Sequence, residues 1–261
     1  MKINVLVSVE FKRILRTYRF LIFIVVILLM GIIHPVVALL KPLETVLLGT
    51  ALVSVFTLST QFLPFPVIAL VSPSISSDKE KGVMRFFEAN MVSEIEILVS
   101  RLIFYFTLTS VLSLTSFGIG MTCIFFVKRV VYNVMFIDVC HLIMFYILMV
   151  FDIVAMSLAA SYIASRMATG ILLATLFWLV TMVLNTTHPT PWGGWICPWH
   201  PNSWVHSISL RLLTGSSIHP FQQLTGRPSL WEIILAYGQT LLFALFWIFI
   251  MISVYVYKRI K

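Results

Sequence analysis

Six long runs that are almost free of charged residues dominate this sequence. A helix needs about 20 apolar residues to cross the ~30 Å hydrocarbon core of a bilayer, where every backbone polar group must find its partner within the protein. Runs of this length therefore predict an all-α polytopic membrane protein with six transmembrane helices. The predicted spans are residues 20–40, 46–72, 101–127, 138–164, 167–187 and 231–257.

Composition excludes most other classes of protein. Only 11% of the 261 residues are charged, and 60% are hydrophobic, whereas a soluble domain carries about 25% charged residues. These proportions exclude a soluble enzyme, a disordered chain and a nucleic-acid-binding domain. The three cysteines, Cys123, Cys140 and Cys197, form neither an even set nor a CxxC motif, so no disulfide scaffold is expected.

The distribution of basic residues predicts the orientation of the chain. If the N-terminus is cytoplasmic, 13 of the 18 Lys and Arg residues fall in cytoplasmic segments of the six-span topology. Basic residues collect on the cytoplasmic side of membrane proteins. We therefore expect a multi-pass protein of the cell membrane with both termini in the cytoplasm.

Residues 1–19 precede the first span and predict an amphipathic helix at the cytoplasmic interface. Apolar side chains recur at helical spacing at Val7, Phe11, Ile14, Leu15 and Tyr18, and basic side chains occupy the opposite face at Lys12, Arg13, Arg16 and Arg19. Such a helix suits the headgroup boundary of an anionic leaflet. Two interpretations stay open: a stop-transfer flank that only orients the chain, and a positioned helix that docks the chain or a partner.

A long cytoplasmic connection, residues 73–100, joins the second and third spans, and we call it the elbow. Together with Arg101 it holds nine of the 28 charged residues of the chain. It also contains an apolar cluster that is too short to span a bilayer, formed by Val83, Met84, Phe86 and Phe87. The pattern predicts a helix–turn–helix on the cytoplasmic face that presents two aromatic rings among mixed charges.

Local signals predict where the helices of the elbow begin. Pro73 is expected to end the second span. Ser76 or Ser77 is then expected to cap a short helix whose first turn carries acidic residues, and Gly82 permits a bend.

Further signals mark the second half of the elbow. Asn90 is expected to end its second helix in a left-handed conformation. Ser93 and Glu96 have the spacing of a capping box, which would begin the helix of the third span below the membrane.

The elbow resembles the cytoplasmic signature of type-two ATP-binding-cassette (ABC) exporter permeases, an acidic–basic–acidic–basic–Gly run followed by a helix and an acidic-Ile start to the third span. The opening of that signature is matched by Asp78, Lys79, Glu80, Lys81 and Gly82, and its second half by Ala89, Val92, Ser93, Glu96 and Ile97. Arg101 stands at the closing Lys. The departures are Phe86 and Phe87 for Leu, Asn90 for Thr, Met91 for Pro and Ser100 for Gly.

The resemblance implies that the chain is the membrane-spanning permease of an ATP-driven exporter. In that family the elbow sits in a cleft of a separate ABC ATPase subunit, which binds ATP and Mg²⁺. The residues implied in ATPase coupling are Asp78, Glu80, Lys81, Gly82, Arg85, Phe86, Phe87, Ser93 and Glu96. The resemblance also implies a dimer with a second permease copy or a paralogue. The expected partners are the ATPase, that second permease and membrane lipid, with no nucleic acid.

This chain contains no GxxxxGK[ST] phosphate loop, so it is not expected to be an enzyme or to hold a cofactor of its own. The alternative is a stand-alone multi-pass protein, either an ATP-independent channel or an intramembrane enzyme. On that alternative, the elbow would be an ordinary solvated charge run. The catalytic motifs HExxH and GxSxG are absent, and no catalytic residues are assigned.

Two further features carry expectations. Asp152 lies within the fourth span, where an ionised carboxylate costs at least about 2.5 kcal/mol; it is a candidate pathway residue or a structural hydrogen-bonding group. The outer loop, residues 188–230, is rich in His and Trp and includes Cys197. An aromatic cap at the outer end, with a short helix over 207–213, is favoured there over a metal site.

Overall fold

In this computed structural model, the described residues are 2–39, 45–187, 198, 203–219 and 222–260. Most of the described residues lie in helices. The helices are α1 (Lys2–Leu15), α2 (Tyr18–Leu39), α3 (Leu48–Phe62), α4 (Pro64–Val71), α5 (Pro73–Glu80), α6 (Val83–Ala89), α7 (Glu94–Val127), α8 (Phe136–Ile163), α9 (Met167–Thr187), α10 (Trp204–Thr214) and α11 (Leu230–Ile260). The strands are β1 (Thr45–Leu47), β2 (Arg129–Val131), β3 (Ser216–His219) and β4 (Gln222–Thr225).

The all-α polytopic fold is confirmed, and each of the six predicted runs contains a helix. Within the described residues, four stretches are long and apolar enough to cross a membrane: Leu48–Glu80, Glu94–Phe126, Phe136–Ile163 and Leu230–Ile260. A fifth is added if α1 and α2, which meet at 81°, count as one broken span. The apolar part of α9, Met167–Val183, is shorter than these stretches.

The first helix ends earlier than the sequence pattern predicts. α1 stops at Leu15, and Tyr18 already belongs to α2, so the apolar stripe does not continue through residue 18. At the break the Thr17 hydroxyl donates a hydrogen bond to the Ile14 carbonyl at 2.8 Å. The carbonyls of the last helical turn lack their usual N–H partners, and this bond satisfies one of them. The sharp angle lets α1 lie across the bundle while α2 runs along it.

The prediction that Pro73 ends the second span is wrong. The chain passes from α4 into α5 through Ser72, whose backbone is helical (φ −64°, ψ −24°), and Pro73 occupies the first turn of α5, where its missing N–H costs little. The Ser161 hydroxyl accepts hydrogen bonds from the backbone N–H groups of Ile75 (2.9 Å) and Ser76 (3.1 Å). A side chain of α8 therefore satisfies donors that the proline break leaves without partners.

The proposed cap at Ser76 or Ser77 is wrong for the same reason, because both residues lie inside α5. Asn90 is not left-handed either: its φ is −94°, and Met91 takes the positive φ of 55° instead. The chain turns one residue later because the Val92 N–H donates to the Phe87 carbonyl at 3.0 Å, a closing bond typical of helix C-termini.

The centre of the molecule is α8. Its C-terminal half is buried almost without interruption, and α11, α9, α7 and α4 pack around it. α2 packs along α7, and α1 crosses the N-terminal half of α7. Small side chains of α8, including Ala155 and Ala159, allow this close approach.

Two small sheets and α10 lie at the other end of the bundle. β1 pairs with β2 in parallel, and β3 pairs with β4 in antiparallel register. α10 is the short helix expected near residues 207–213; it is capped by Ser203, whose side chain accepts from the His206 N–H at 3.0 Å. An ion pair of 2.6 Å between Arg211 and Glu232 joins α10 to α11.

Candidate functional site

The elbow shares one end of the bundle with α1, the link between α8 and α9, and the C-terminus of α11. Three contacts establish this: Arg13 pairs with Asp78, Glu80 accepts from the Met167 N–H at 2.9 Å, and the Lys258 ammonium lies 4.2 Å from the centre of the Tyr162 ring. We call this the charge-rich end. Segments that carry many of the basic residues of the sequence are therefore gathered at one end of the molecule.

The outer surface of the elbow is α6. Phe86 is 67% exposed and meets Phe87 edge-on, with ring centroids 6.3 Å apart. The side chain of Arg85 is also exposed, and Met84 is buried and anchors the helix from below. An exposed aromatic ring among charges, on a helix held by a buried residue, is typical of an interface anchor.

Gly82 sets the direction of α6. It adopts φ +72°, a left-handed conformation that a side chain would strain, and it separates α5 from α6. The bend predicted at this residue is confirmed. Without it α5 would continue straight, and α6 would not turn away from the bundle.

Asp78, predicted as a coupling residue, lies inside the protein. Both of its oxygens accept from the Arg13 guanidinium, at 2.7 and 2.8 Å, and one also accepts from Arg101. Its side chain is 5% exposed and that of Arg101 is 3% exposed. Asp78 therefore joins the elbow to α1 and α7, and its side chain is not part of the exposed surface of the elbow.

Glu10 completes this ion cluster, which we define as Glu10, Arg13, Asp78 and Arg101. Glu10 pairs with Arg13 at 2.7 Å and accepts a hydrogen bond from the Tyr105 hydroxyl at 2.9 Å. The cluster contains two acidic and two basic side chains, so its formal charges cancel. A balanced and hydrogen-bonded set is the form in which buried charges are tolerated.

The two residues after Asp78 reach other helices. The Lys79 ammonium donates to the backbone carbonyl of Tyr162 and, at 3.2 Å, to that of Ala164, at the C-terminus of α8. Glu80 accepts from the Met167 N–H, the first residue of α9. A cation at a helix C-terminus and a carboxylate at a helix N-terminus both interact favourably with the helix dipole. Three consecutive elbow residues thus contact α1, α7, α8 and α9.

The remaining predicted residues divide between the surface and the start of α7. Lys81, Gly82 and Arg85 are exposed and Phe87 is half-buried. Ser93 and Glu96 form the predicted capping box, which is confirmed: the Ser93 N–H donates to Glu96 at 2.8 Å, and the Glu96 N–H donates to the Ser93 hydroxyl at 3.2 Å.

Several residues of the site were not singled out by the sequence. Glu10 is the only acidic residue in the basic N-terminal segment 1–19. A single negative charge among basic residues is the sequence feature that could have identified it. Tyr105 and Tyr162 lie inside apolar runs and carry no such signal. The Tyr162 hydroxyl donates to Glu94 at the start of α7, so this residue also joins α8 to the elbow.

Asp152, the candidate pathway residue, is fully buried in the middle of α8. Neither carboxylate oxygen has a hydrogen-bond partner among the described residues. The structural hydrogen bond considered from the sequence is therefore not formed there.

The outer loop is only partly within the described residues. His188, Cys197 and His200, together with Trp192, Trp195 and Trp199, lie outside them. His206 is described: it is buried, lies 3.3 Å from the Thr57 hydroxyl and stacks on Phe56. Within the described ranges, no group of three or more His, Cys, Asp or Glu residues is placed to hold a metal ion.

Comparison with known proteins adds no relative. No protein-family model matches the chain, and no curated protein matches it. The functional interpretation therefore depends on the residues of the charge-rich end and on their contacts.

Proposed function

We propose that this chain is the permease subunit of an ATP-driven ABC exporter and that the elbow receives the movement of a separate ATPase subunit. The single observation that supports this most is the set of contacts made by residues 78–80. Asp78 pairs with α1 and α7, Lys79 bonds to the end of α8, and Glu80 bonds to the start of α9. A displacement of α5 would therefore reach four helices without an intervening loop.

The surface of α6 supports the docking part of the proposal. Phe86 projects from the elbow, and exposed charges of both signs surround it at Lys81, Arg85 and Glu88. Aromatic anchors contribute most of the affinity of many interfaces, and the charges around them fix the register. In this proposal Phe86 enters the cleft of the ATPase, and ATP-driven closure of an ATPase pair moves the helices as rigid bodies.

The proposal includes an orientation and an assembly. The charge-rich end faces the cytoplasm and the protein resides in the cell membrane, which agrees with the preference of basic residues for the cytoplasmic side. Two permease subunits, identical or paralogous, form the pathway. ATP and Mg²⁺ bind to the partner ATPase, and this chain performs no catalysis.

Co-purification tests the docking surface. The chain is expressed with an ABC ATPase subunit from the same genome, and the amount of ATPase recovered with it is measured. We expect Phe86→Ala to reduce recovery at least about tenfold, because loss of an aromatic anchor costs about 2 kcal/mol or more. Phe136→Ala is the matched control: Phe136 is 83% exposed and begins α8, at the opposite end from the elbow.

Unchanged recovery with Phe86→Ala would contradict docking through the elbow. A purified chain that supports flux without nucleotide would instead favour the stand-alone channel.

A further inference from the structure

A cavity of about 570 Å³ opens where α1 meets α2, beside the start of α5. This volume is within the range of small-molecule sites, about 300–1,000 Å³. The lining is strongly basic: it contains four cationic side chains, Arg13, Arg16, Arg19 and Lys81, and one acidic side chain, Asp78. Its formal charge is therefore +3.

Not all of these cations are already paired. Asp78 belongs to the ion cluster, where Arg13 and Arg101 neutralise it. In the described part of the chain, the side chains of Arg16 and Lys81 make no ion pair or hydrogen bond, and both are exposed. An anion that enters the cavity would meet two cations that give up no existing partner.

Ser74 gives an independent indication of a ligand. It lines the same cavity, is 4% exposed, and its hydroxyl has no hydrogen-bond partner among the described residues. Its neighbours are satisfied: the Ser72 hydroxyl donates to the Ile68 carbonyl and the Ser76 hydroxyl to the Ser72 carbonyl. A buried hydroxyl without a partner costs about 1–3 kcal/mol, and an acceptor in the cavity would remove that cost.

The position of the cavity favours a lipid over a soluble anion. Tyr18 lines it, and the adjoining turn of α2 exposes Leu21 and Ile22, each to 60%. The cavity thus lies at the 81° bend between the basic helix α1 and the start of α2, which exposes apolar side chains. This is the level of the headgroups, with apolar side chains next to it for acyl chains.

We propose that this cavity binds the phosphate group of an anionic phospholipid through Ser74, Arg16 and Lys81. Guanidinium and ammonium groups are the usual phosphate ligands in proteins. The site would hold the bend between α1 and α2 at a fixed depth in the membrane, next to the ion cluster that joins α1 to the elbow.

Native mass spectrometry of the purified full chain in detergent tests this site by titration with phosphatidylglycerol. We expect saturable binding to the unmodified chain. The double variant Arg16→Gln/Lys81→Gln should bind about 25-fold more weakly, since each basic side chain near an anionic headgroup contributes about fivefold. Ser74→Ala should bind about tenfold more weakly because it loses a hydrogen bond to a charged group.

The matched control is Lys12→Gln/Arg85→Gln. It removes the same charge from exposed positions of the same end that do not line the cavity, and its binding should change by less than about twofold. Equal weakening by the two double variants would overturn the site in favour of diffuse attraction. The exposed pair Arg16 and Lys81 decides the outcome if Ser74→Ala is poorly folded.

Two further titrations identify the source of the phosphate. Zwitterionic phosphatidylcholine should bind much more weakly than phosphatidylglycerol, and excess inorganic phosphate should not displace phosphatidylglycerol. Equal binding of the two lipids would overturn the requirement for an anion. Complete displacement by inorganic phosphate would overturn the assignment to lipid.

Discussion

At the scale of single residues, the ion cluster is the feature that most constrains the charge-rich end. Asp78 and Arg101 are almost completely buried, and each depends on the other and on Glu10 and Arg13 for compensation. A buried charge that loses its partner is costly, whereas an exposed charge is compensated by water. Neutralising one member of the cluster should therefore destabilise the protein.

We expect Asp78→Asn to lower the free energy of unfolding by about 3 kcal/mol, because it leaves two arginines facing one carboxylate. Denaturant titration of the purified chain in detergent measures this. Glu88→Gln is the matched control, since Glu88 is exposed and makes no ion pair within the described residues; it should change the free energy by no more than about 0.5 kcal/mol. Equal stability of the two variants would contradict a structural role for the cluster.

Sequence patterns predict the local parts of the site well and its long-range parts poorly. The capping box of Ser93 and Glu96 and the bend at Gly82 depend on neighbours within a few residues, and both are confirmed. The contact of Glu10 with Tyr105 depends on α1 crossing α7, 95 residues away along the chain, and that of Asp78 with Arg13 depends on α1 meeting the elbow. No periodicity carries that information, so Asp78 reads as a surface charge in the sequence.

At the scale of helices, the break between α4 and α5 shows how packing overrides a local signal. Pro73 removes a backbone donor, and proline is a usual terminator. Here Ser161 of α8 accepts from the free N–H groups of the next turn, so a helical path continues to Glu80. The length of the helical stretch Leu48–Glu80 therefore depends on α8, and the local sequence pattern contains no information about that contact.

The contact between α5 and α9 leads to a second stability prediction. A Cβ atom added at Gly170 would lie 2.7 Å from the Ser76 hydroxyl and 2.9 Å from the Ser72 carbonyl, whereas one added at Gly118 has no neighbour within 4 Å. We expect Gly170→Ala to destabilise by about 1–3 kcal/mol because the helices must move apart. Gly118→Ala should be neutral or stabilise by up to about 1 kcal/mol.

Denaturant titration in detergent measures the free energy of unfolding of both variants. A Gly170→Ala protein as stable as Gly118→Ala would mean that α9 does not press against α5, and would remove one of the supports of the elbow.

At the scale of the whole molecule, the charges and the contacts describe a bundle with two different ends. One end carries α1, the elbow, the link between α8 and α9, and the last turn of α11, all joined by ion pairs and hydrogen bonds. The other carries the small sheets and α10. The all-α polytopic fold follows from the hydrophobic runs, but the joining of these segments at one end appears only in three dimensions.

The proposed function requires the elbow to face the compartment that contains ATP. Single cysteines at Phe86 and Phe136, in a chain whose Cys123, Cys140 and Cys197 are replaced by serine, test it with a membrane-impermeant maleimide in sealed vesicles of known sidedness. We predict that residue 86 reacts only from the cytoplasmic side and residue 136 only from the outside. Labelling of residue 86 from the outside would contradict the account.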